Sequence, residues 1–471
     1  MAPAMLMNDG NGVYDNKADG NTPFKSAVLH RSLHVEPYKV VASKGNYLHL
    51  ANGQKIFDAT TGAAVACLGH GNERVKAAVA RQMDEICYCH SMFFNTSAME
   101  GLADELIAGT EGKLARAFLV SSGSEAMESA MKLARQYFLE CSPPQPDRTR
   151  FIARKESYHG TTLGSLSMSG HVSRRKLFEP MLLDNISRVS ACNPYHGMRK
   201  GESTEDFVAR LAQELDNEFQ RVGPGTVCAF VAEPTVGAAL GCVPAVPGYF
   251  PAMKAVCDKY GALLILDEIM SGMGRTGTLH AWQQEGVVPD IQTIGKGLGG
   301  GFMPIAGMLI GHRVVDAFKK GTGAFSHGQT YQGHPLACAA ALEVQKIIRE
   351  EKLVDNVKEM GLLLEGFLKQ KLADHPNVGD IRGRGLFWGI EFVRDKVAKK
   401  PFDPKDGIAM GIHDQGMKPG YDIYLYPGSG TVDGKVGDHI LMAPAYNVTR
   451  ADIELLANTT TRTVVDFFAR R

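Results

Sequence analysis

The chain has 471 residues, with 51 lysines and arginines against 51 aspartates and glutamates, 44% hydrophobic and 22% charged residues, ordinary usage for a globular protein. A formal net charge of zero and the lack of any long basic run exclude an electrostatic footprint for nucleic acid or an anionic membrane. No apolar run approaches the ~20 residues a membrane span needs, and at ~100–200 residues per domain the length predicts two or three domains, or one large α/β domain with a smaller companion.

Met1 to Phe24 is rich in Asn, Gly and Asp without periodicity and reads as a loose arm. It carries Asp9, Asp15 and Asp19 and no apolar core, so neither a secretory signal nor a transit peptide fits. Nine cysteines without a C-x-x-C pair read as buried thiols of a reducing cytoplasm. Next, the strand-like pieces Tyr47–Leu50 and Lys55–Asp58 flank Asn52-Gly53, which predicts a hairpin. Helical spacing follows at Val75, Val79, Gln82 and Ile86 and again over Met99–Ile107. Short apolar runs then alternate with helices for some 200 residues, the pattern of an α/β protein.

The clearest strands are Ala117–Val120, Phe151–Ala153, Val227–Ala232, Leu263–Leu266 and Ile291–Ile294. They are apolar on both sides, as expected of parallel strands covered by helices on both faces. Each ends in polar or glycine-rich residues, and open α/β sheets bind ligands beyond the carboxyl ends of their strands. After Pro335 come two helical segments, the second over Val354–Leu372. A strand pair at Ile381–Arg384 and Leu386–Val393 and a final helix over Ala451–Phe468 complete a smaller unit. Arg394 to Gly437, rich in Lys, Asp, Gly and Pro, reads as a long loop.

Three strand ends carry chemistry. Phe118 to Ala126 runs from a strand through Ser121-Ser122-Gly123-Ser124 into a helix, and a helix N-terminus with free N–H groups holds a phosphate. The same turn reads equally well as simple capping, with Ser124 as N-cap. Asp267 follows four aliphatic residues, where a carboxylate is costly unless a cation or strong donor is paired with it. No cluster at metal-ligand spacing accompanies it, and a protonated heterocyclic nitrogen would serve, as would a local cap or ion pair. Lys296 stands among glycines at the end of an apolar strand, where a desolvated amine becomes a nucleophile toward an aldehyde. Alone it would be an unremarked loop lysine. Together the three describe the handles of pyridoxal 5′-phosphate.

Leu68-Gly-His-Gly, Ser122-Gly-Ser-Glu-Ala, Ser157-Tyr-His-Gly, Ala232-Glu-Pro, the run from Leu266 to Gly277, Gly295-Lys-Gly-Leu, Gly328 to Pro335 and Arg382-Gly-Arg-Gly-Leu resemble the class III pyridoxal-phosphate aminotransferases, the omega-aminotransferase family of fold type I. The resemblance covers roughly Tyr38 to Phe468. It implies a large domain with a mostly parallel central sheet flanked by helices and a smaller α+β domain built from both chain ends: an arm over 1–24, small-domain parts over 25–75 and 336–471, and a cofactor domain over 76–335. It implies that Lys296 forms the Schiff base and moves the substrate proton, and that Asp267 pairs with the pyridinium nitrogen. Ser122, Gly123 and Ser124 would bind the phosphate. Tyr158 and Ile269 would sandwich the ring, while His159 and Glu233 lie beside it. Thr330 would reach the phosphate of a neighbouring subunit, which requires a homodimer.

The implied activity is transfer of an amino group from an amino acid or amine to a 2-oxo acid. Decarboxylation, amino-mutation and racemisation stay open on the same scaffold. Arg275, Arg382, Arg384 and Arg450 are each conceivable partners for a substrate carboxylate. Ser91, Met92, Phe93 and Phe94 are expected at the site entrance, as an apolar wall suited to a larger amine.

Overall fold

The structure is a computed structural model and describes residues 23–471; the predicted arm lies outside it except for Pro23 and Phe24. A seven-stranded sheet forms the centre, in the order Leu114–Val120, Ala306–Gly311, Ile291–Ile294, Leu263–Asp267, Val227–Ala232, Arg150–Arg154, Ile186–Val189. Six strands are mutually parallel, and Ala306–Gly311 runs antiparallel to both its neighbours. All five strands expected from the sequence are present. Ala306–Gly311 was not expected, because glycines at both 307 and 311 make it read as a continuation of the Gly-rich loop before it, although all six residues are buried. Ile186–Val189 has a polar centre and lies at the sheet edge.

The sheet is covered on both faces, as its two-sided apolar strands require. One core joins Phe230, Leu264 and Leu266 to Leu211, Leu215 and Phe219 of helix Thr204–Val222. The other joins Val231, Leu263 and Ile265 to Met127, Ala130 and Ala134 of helix Gly123–Glu140. Successive residues of one strand thus feed opposite cores, as a period of two dictates.

The Asn52-Gly53 hairpin forms as expected, with Leu50 N–H donating to the Gln54 carbonyl at 2.9 Å and Gly53 in the left-handed region at φ +89°. Its second strand pairs in parallel with Ile423–Tyr424 from the far end of the chain. A second four-stranded sheet, antiparallel throughout, is ordered Val378–Arg384, Phe387–Phe392, Asp438–Met442, Tyr426–Ser429. A single core packs Phe57, Leu68 and Val75 with Leu364, Leu368, Ile390, Ile412 and Leu456. Both chain ends therefore share one hydrophobic interior.

The long loop expected over Arg394–Gly437 is corrected by the structure. It contains helix Ile408–Gly416 and strands Ile423–Tyr424 and Tyr426–Ser429. Ile408, Ile412, Ile423 and Leu425 are buried, and their burial against distant helices outweighs the local Gly and Pro content. Among the described residues no helix is long and apolar enough to cross a membrane.

Leu364 is 0% exposed in the shared core. Leu364→Ala is expected to cost about 2–5 kcal/mol, measured as a lower urea midpoint with an unchanged slope.

Candidate active site

Because the strands are parallel, their carboxyl ends gather at one edge, and the expected residues sit there in order. Asp267 closes its strand, and Lys296 opens a short 3-10 turn two residues beyond Ile291–Ile294, after Gly295. Glu233 follows Val227–Ala232, Tyr158 and His159 follow Arg150–Arg154, and Gly123 follows Leu114–Val120. A cavity of about 180 Å³ brings together Gly123, Ser124, Tyr158, His159, Glu233, Asp267, Ile269 and Lys296. Gly160, Thr235 and Met270 complete its lining. These three were not singled out in the sequence, where only Gly160 carries a signal, as the glycine of Tyr-His-Gly.

Asp267 is 4% exposed. Its Oδ2 lies 2.7 Å from His159 Nδ1, and its Oδ1 accepts from Thr293 Oγ1 at 3.2 Å and from the Ile269 N–H at 3.1 Å. The local turn that could by itself explain an aspartate is therefore present, yet it uses one oxygen. His159 is held in turn by its own N–H, which donates to Ser169 Oγ at 2.8 Å, and its Nε2 is buried without a hydrogen-bond partner. Glu233 accepts from the Tyr158 N–H at 3.0 Å and the Gly237 N–H at 3.3 Å, and burial raises its carboxyl above the ordinary range.

Lys296 has φ +46°, a left-handed conformation that costs a side-chain-bearing residue roughly 1 kcal/mol or more. Its carbonyl accepts from the Gly299 and Gly300 N–H groups at 3.1 and 3.0 Å, which closes the turn and holds that conformation. Burial pushes its amine down to about 8, against the opposing pull of Asp267 and Glu233. At neutral pH a larger share of this amine is uncharged than of a surface lysine.

At the other end of the cavity helix Gly123–Glu140 begins, its first N–H groups without intrahelical acceptors. Capping falls to Ser122, whose Oγ accepts from the Glu125 N–H at 3.3 Å. This corrects the sequence reading that made Ser124 the cap: the backbone is extended at Ser122 and already helical from Gly123. Ser122 is exposed and lies outside the cavity lining. Ser124 instead accepts from the Thr161 N–H at 3.0 Å, which leaves its hydroxyl proton free to donate. A Cβ at Gly123 would stand 3.0 Å from Ile269 Cγ2, and one at Gly295 3.1 Å from Ile269 Cδ1. Two glycines thus make room for the side chain that forms one wall.

Thr330 is exposed and outside the lining; its carbonyl accepts from the Tyr88 hydroxyl at 3.0 Å. Met92, Phe93 and Phe94 are exposed, and neither they nor Ser91 belong to the cavity lining. The four arginines considered for a substrate carboxylate are committed elsewhere. Arg275 donates to the Leu386 and Pro444 carbonyls. Arg382 is bound to Glu391, Asp380 and the Gly241 carbonyl. Arg384 pairs with Glu285, and Arg450 pairs with Glu454 near the surface.

The site accommodates pyridoxal phosphate. Helix N–H groups and a free hydroxyl suit a phosphate, a buried carboxylate suits a ring nitrogen, and an amine whose protonation burial weakens suits an aldehyde. A family model of class III aminotransferases matches residues 28–463. The chain is a class III aminotransferase. An aminotransferase of Gibberella zeae is 59% identical over 93% of this chain and 86% of its own length. The chloroplastic gamma aminobutyrate transaminase 3 of Solanum lycopersicum is 35% identical over 90% of this chain and 80% of its own. Among solved structures, the omega transaminase of Pseudomonas jessenii in complex with PMP superposes with a TM-score of 0.85 at 31% identity, covering 94% of this chain and 95% of the other.

The aminotransferase's Lys296 supplies a direct test. In the cofactor-free protein its reaction with a small aldehyde is expected to rise with pH through about 8, about two pH units earlier than for ordinary lysines. Reductive methylation followed by peptide mass spectrometry across pH 6–11 measures it.

Proposed function

We propose that this aminotransferase carries pyridoxal 5′-phosphate and moves an amino group from an amino acid or amine to a 2-oxo acid in two half-reactions that share the one cavity. The observation that carries the reading is the placement of Lys296, Asp267 and the Gly123–Ser124 helix start around one cavity. The Pseudomonas jessenii relative, solved with PMP, supports the choice of cofactor. Donors in this class extend to ω-amino acids such as the one named for the tomato relative.

Gly123 and Ser124 hold the phosphate, with Ser122 fixing the helix start behind them. Tyr158 and Ile269, both in the cavity lining, would hold the ring between them. Bound there, pyridoxal phosphate supplies an aldehyde for amine exchange and a ring that takes up the electron pair released at the substrate carbon. Asp267 would pair with the ring nitrogen, and His159 Nδ1, 2.7 Å away, fixes the carboxylate in place. Lys296 presents an amine of which burial leaves a larger share uncharged than in a surface lysine. Its Nζ would hold the cofactor's aldehyde and would move the proton at the substrate Cα. Glu233 holds the Tyr158 backbone through its N–H and thereby the wall against which the ring rests.

The cofactor site is completed by a second copy of the chain. Thr330 is exposed beside Tyr88 and Tyr331, whose rings meet edge to face at 6.1 Å, and Met92, Phe93 and Phe94 are exposed as well. An apolar cluster of this kind favours an interface, and a homodimer brings Thr330 to the neighbour's phosphate. Nine free cysteines, six of them buried, agree with a reducing cytoplasm. A small amine and a small oxo acid are the substrates, with neither nucleic acid nor membrane as partner.

Borohydride treatment of the loaded protein is expected to fix the cofactor on the peptide that contains Lys296. Lys296→Ala is expected to fold, to bind the cofactor without fixation and to lose turnover; normal transamination by this variant would overturn the reading. Asp267→Asn is expected to lower kcat at least about tenfold, equivalent to ~1.4 kcal/mol, read in single-turnover kinetics.

A further inference from the structure

Two carboxylates, Asp267 and Glu233, face the cavity together with an amine that is partly neutral. A substrate carboxylate entering that field is repelled unless a fixed cation offsets it, and such a cation has to be free of other anions. The arginines suggested by the sequence are all engaged. Arg154 is fully buried behind Glu233, and its Nη2 donates to the Glu233 carbonyl at 2.6 Å.

Arg174 differs from all of these. It lies on the short helix Val172–Arg175, with its guanidinium carbon 4.7 Å from the centre of the Tyr158 ring, a residue of the cavity wall. Its Nε is buried without a hydrogen-bond partner, and among the described residues it makes no ion pair. Its positive charge reaches the Lys296 amine, adding to the effect of burial there. The neighbouring Arg175 shows the contrast: its Nη1 donates to the carbonyls of Leu166, Ser167 and Ser169 at 3.2, 2.8 and 2.9 Å. Arg175 thus ties the helix to the strand-end loop, while Arg174 is left with one aromatic face and an unspent charge. A guanidinium with a buried, unpaired N–H is costly on its own, and a planar carboxylate is the partner that matches its donor geometry.

We propose that Arg174 is a specificity-determining residue that receives the carboxylate of the amino acid and 2-oxo acid substrates, so that the site favours carboxylate-bearing partners over simple amines. This rests on the cofactor reading above. It also gives the cation–π contact with Tyr158 a purpose: Arg174 is not itself a lining residue, and the ring holds its guanidinium beside the cavity without neutralising it.

The test compares wild-type, Arg174→Gln and Arg174→Lys holoenzymes. Valerate, a carboxylate with no amino or oxo group to exchange, is titrated by calorimetry. Kinetics with 5-aminovalerate and with pentylamine then give the ratio of their kcat/KM values. The expected result is valerate binding weakened at least about tenfold in Arg174→Gln, the scale of a lost charged hydrogen bond, with partial rescue in Arg174→Lys. The kcat/KM ratio is expected to fall by a similar factor. Equal losses for both substrates, with valerate binding unchanged, would mean that Arg174 only braces Tyr158 and would overturn the proposal. Failure of the cofactor reading shows separately, as a wild-type absorbance spectrum unaltered by any amine, and the valerate titration still decides the role of Arg174.

Discussion

A carboxylate at the end of a five-residue buried strand cannot be left unpaired, and the rest of the site is arranged around that demand. Asp267 receives a ring nitrogen of His159 on one oxygen and two donors, Thr293 and Ile269, on the other. Those partners come from the loop after Arg150–Arg154, from the neighbouring strand Ile291–Ile294, and from the residues just beyond Asp267 itself. The carboxylate therefore couples three segments that meet only because their strands run parallel. Its remaining charge is directed into the cavity that Lys296 also faces. Two opposite electrostatic problems meet in one space: a carboxylate that needs a cation and an amine whose charge burial disfavours.

The turn at Lys296 stores a related constraint. Its left-handed backbone is held by hydrogen bonds from Gly299 and Gly300 and is backed by the small unit. Gly297 lies against Tyr446 and Met273, and Gln345 of helix Pro335–Glu350 donates to the carbonyls of Gly297 and Leu298 at 3.1 and 2.8 Å. That helix contributes to two cores, with Ala337, Cys338 and Ala341 beside Leu298 and Val344 and Ile347 facing the core shared by the two chain ends. The position of the reactive amine is thus transmitted from packing far from the chemistry. Arg275 adds a polar tie of the same kind, binding the carbonyls of Leu386 and Pro444 while stacking on Tyr446.

Much of the large sheet was legible before any coordinates, because buried parallel strands announce themselves as short two-sided apolar runs ending in polar residues. Asp267 and Lys296 were legible for the same reason: a charge directly after such a run has to be explained. The antiparallel strand Ala306–Gly311 escaped notice, since glycine hides a strand whose stability comes from pairing with Ile291–Ile294 and Leu114–Val120 on its two sides. The segment Arg394–Gly437 escaped for a related reason. Helix Ile408–Gly416 packs against helix Arg450–Ala469 and against strands Tyr426–Ser429 and Asp438–Met442, and Ile423–Tyr424 pairs with the N-terminal hairpin, contacts that the local Gly and Pro content conceals.

The sequence by itself determined the α/β class, the order of the strands along the chain, and the residue types available at each strand end, because periodicity and the cost of burying charge are local properties. Only the tertiary structure decided which arginines are free. Arg275 and Arg384 look as available as any other in the sequence, yet each is consumed by carbonyls or a carboxylate brought to it from 99 or more positions away, and Arg382 is held by the nearby Asp380 and Glu391 together with the distant Gly241 carbonyl. Arg174 carries no local mark at all. Its distinction is to lie against Tyr158 of the cavity wall without an ion pair among the described residues, and whether a charge has been neutralised depends on every element that packs around it, which no stretch of sequence contains.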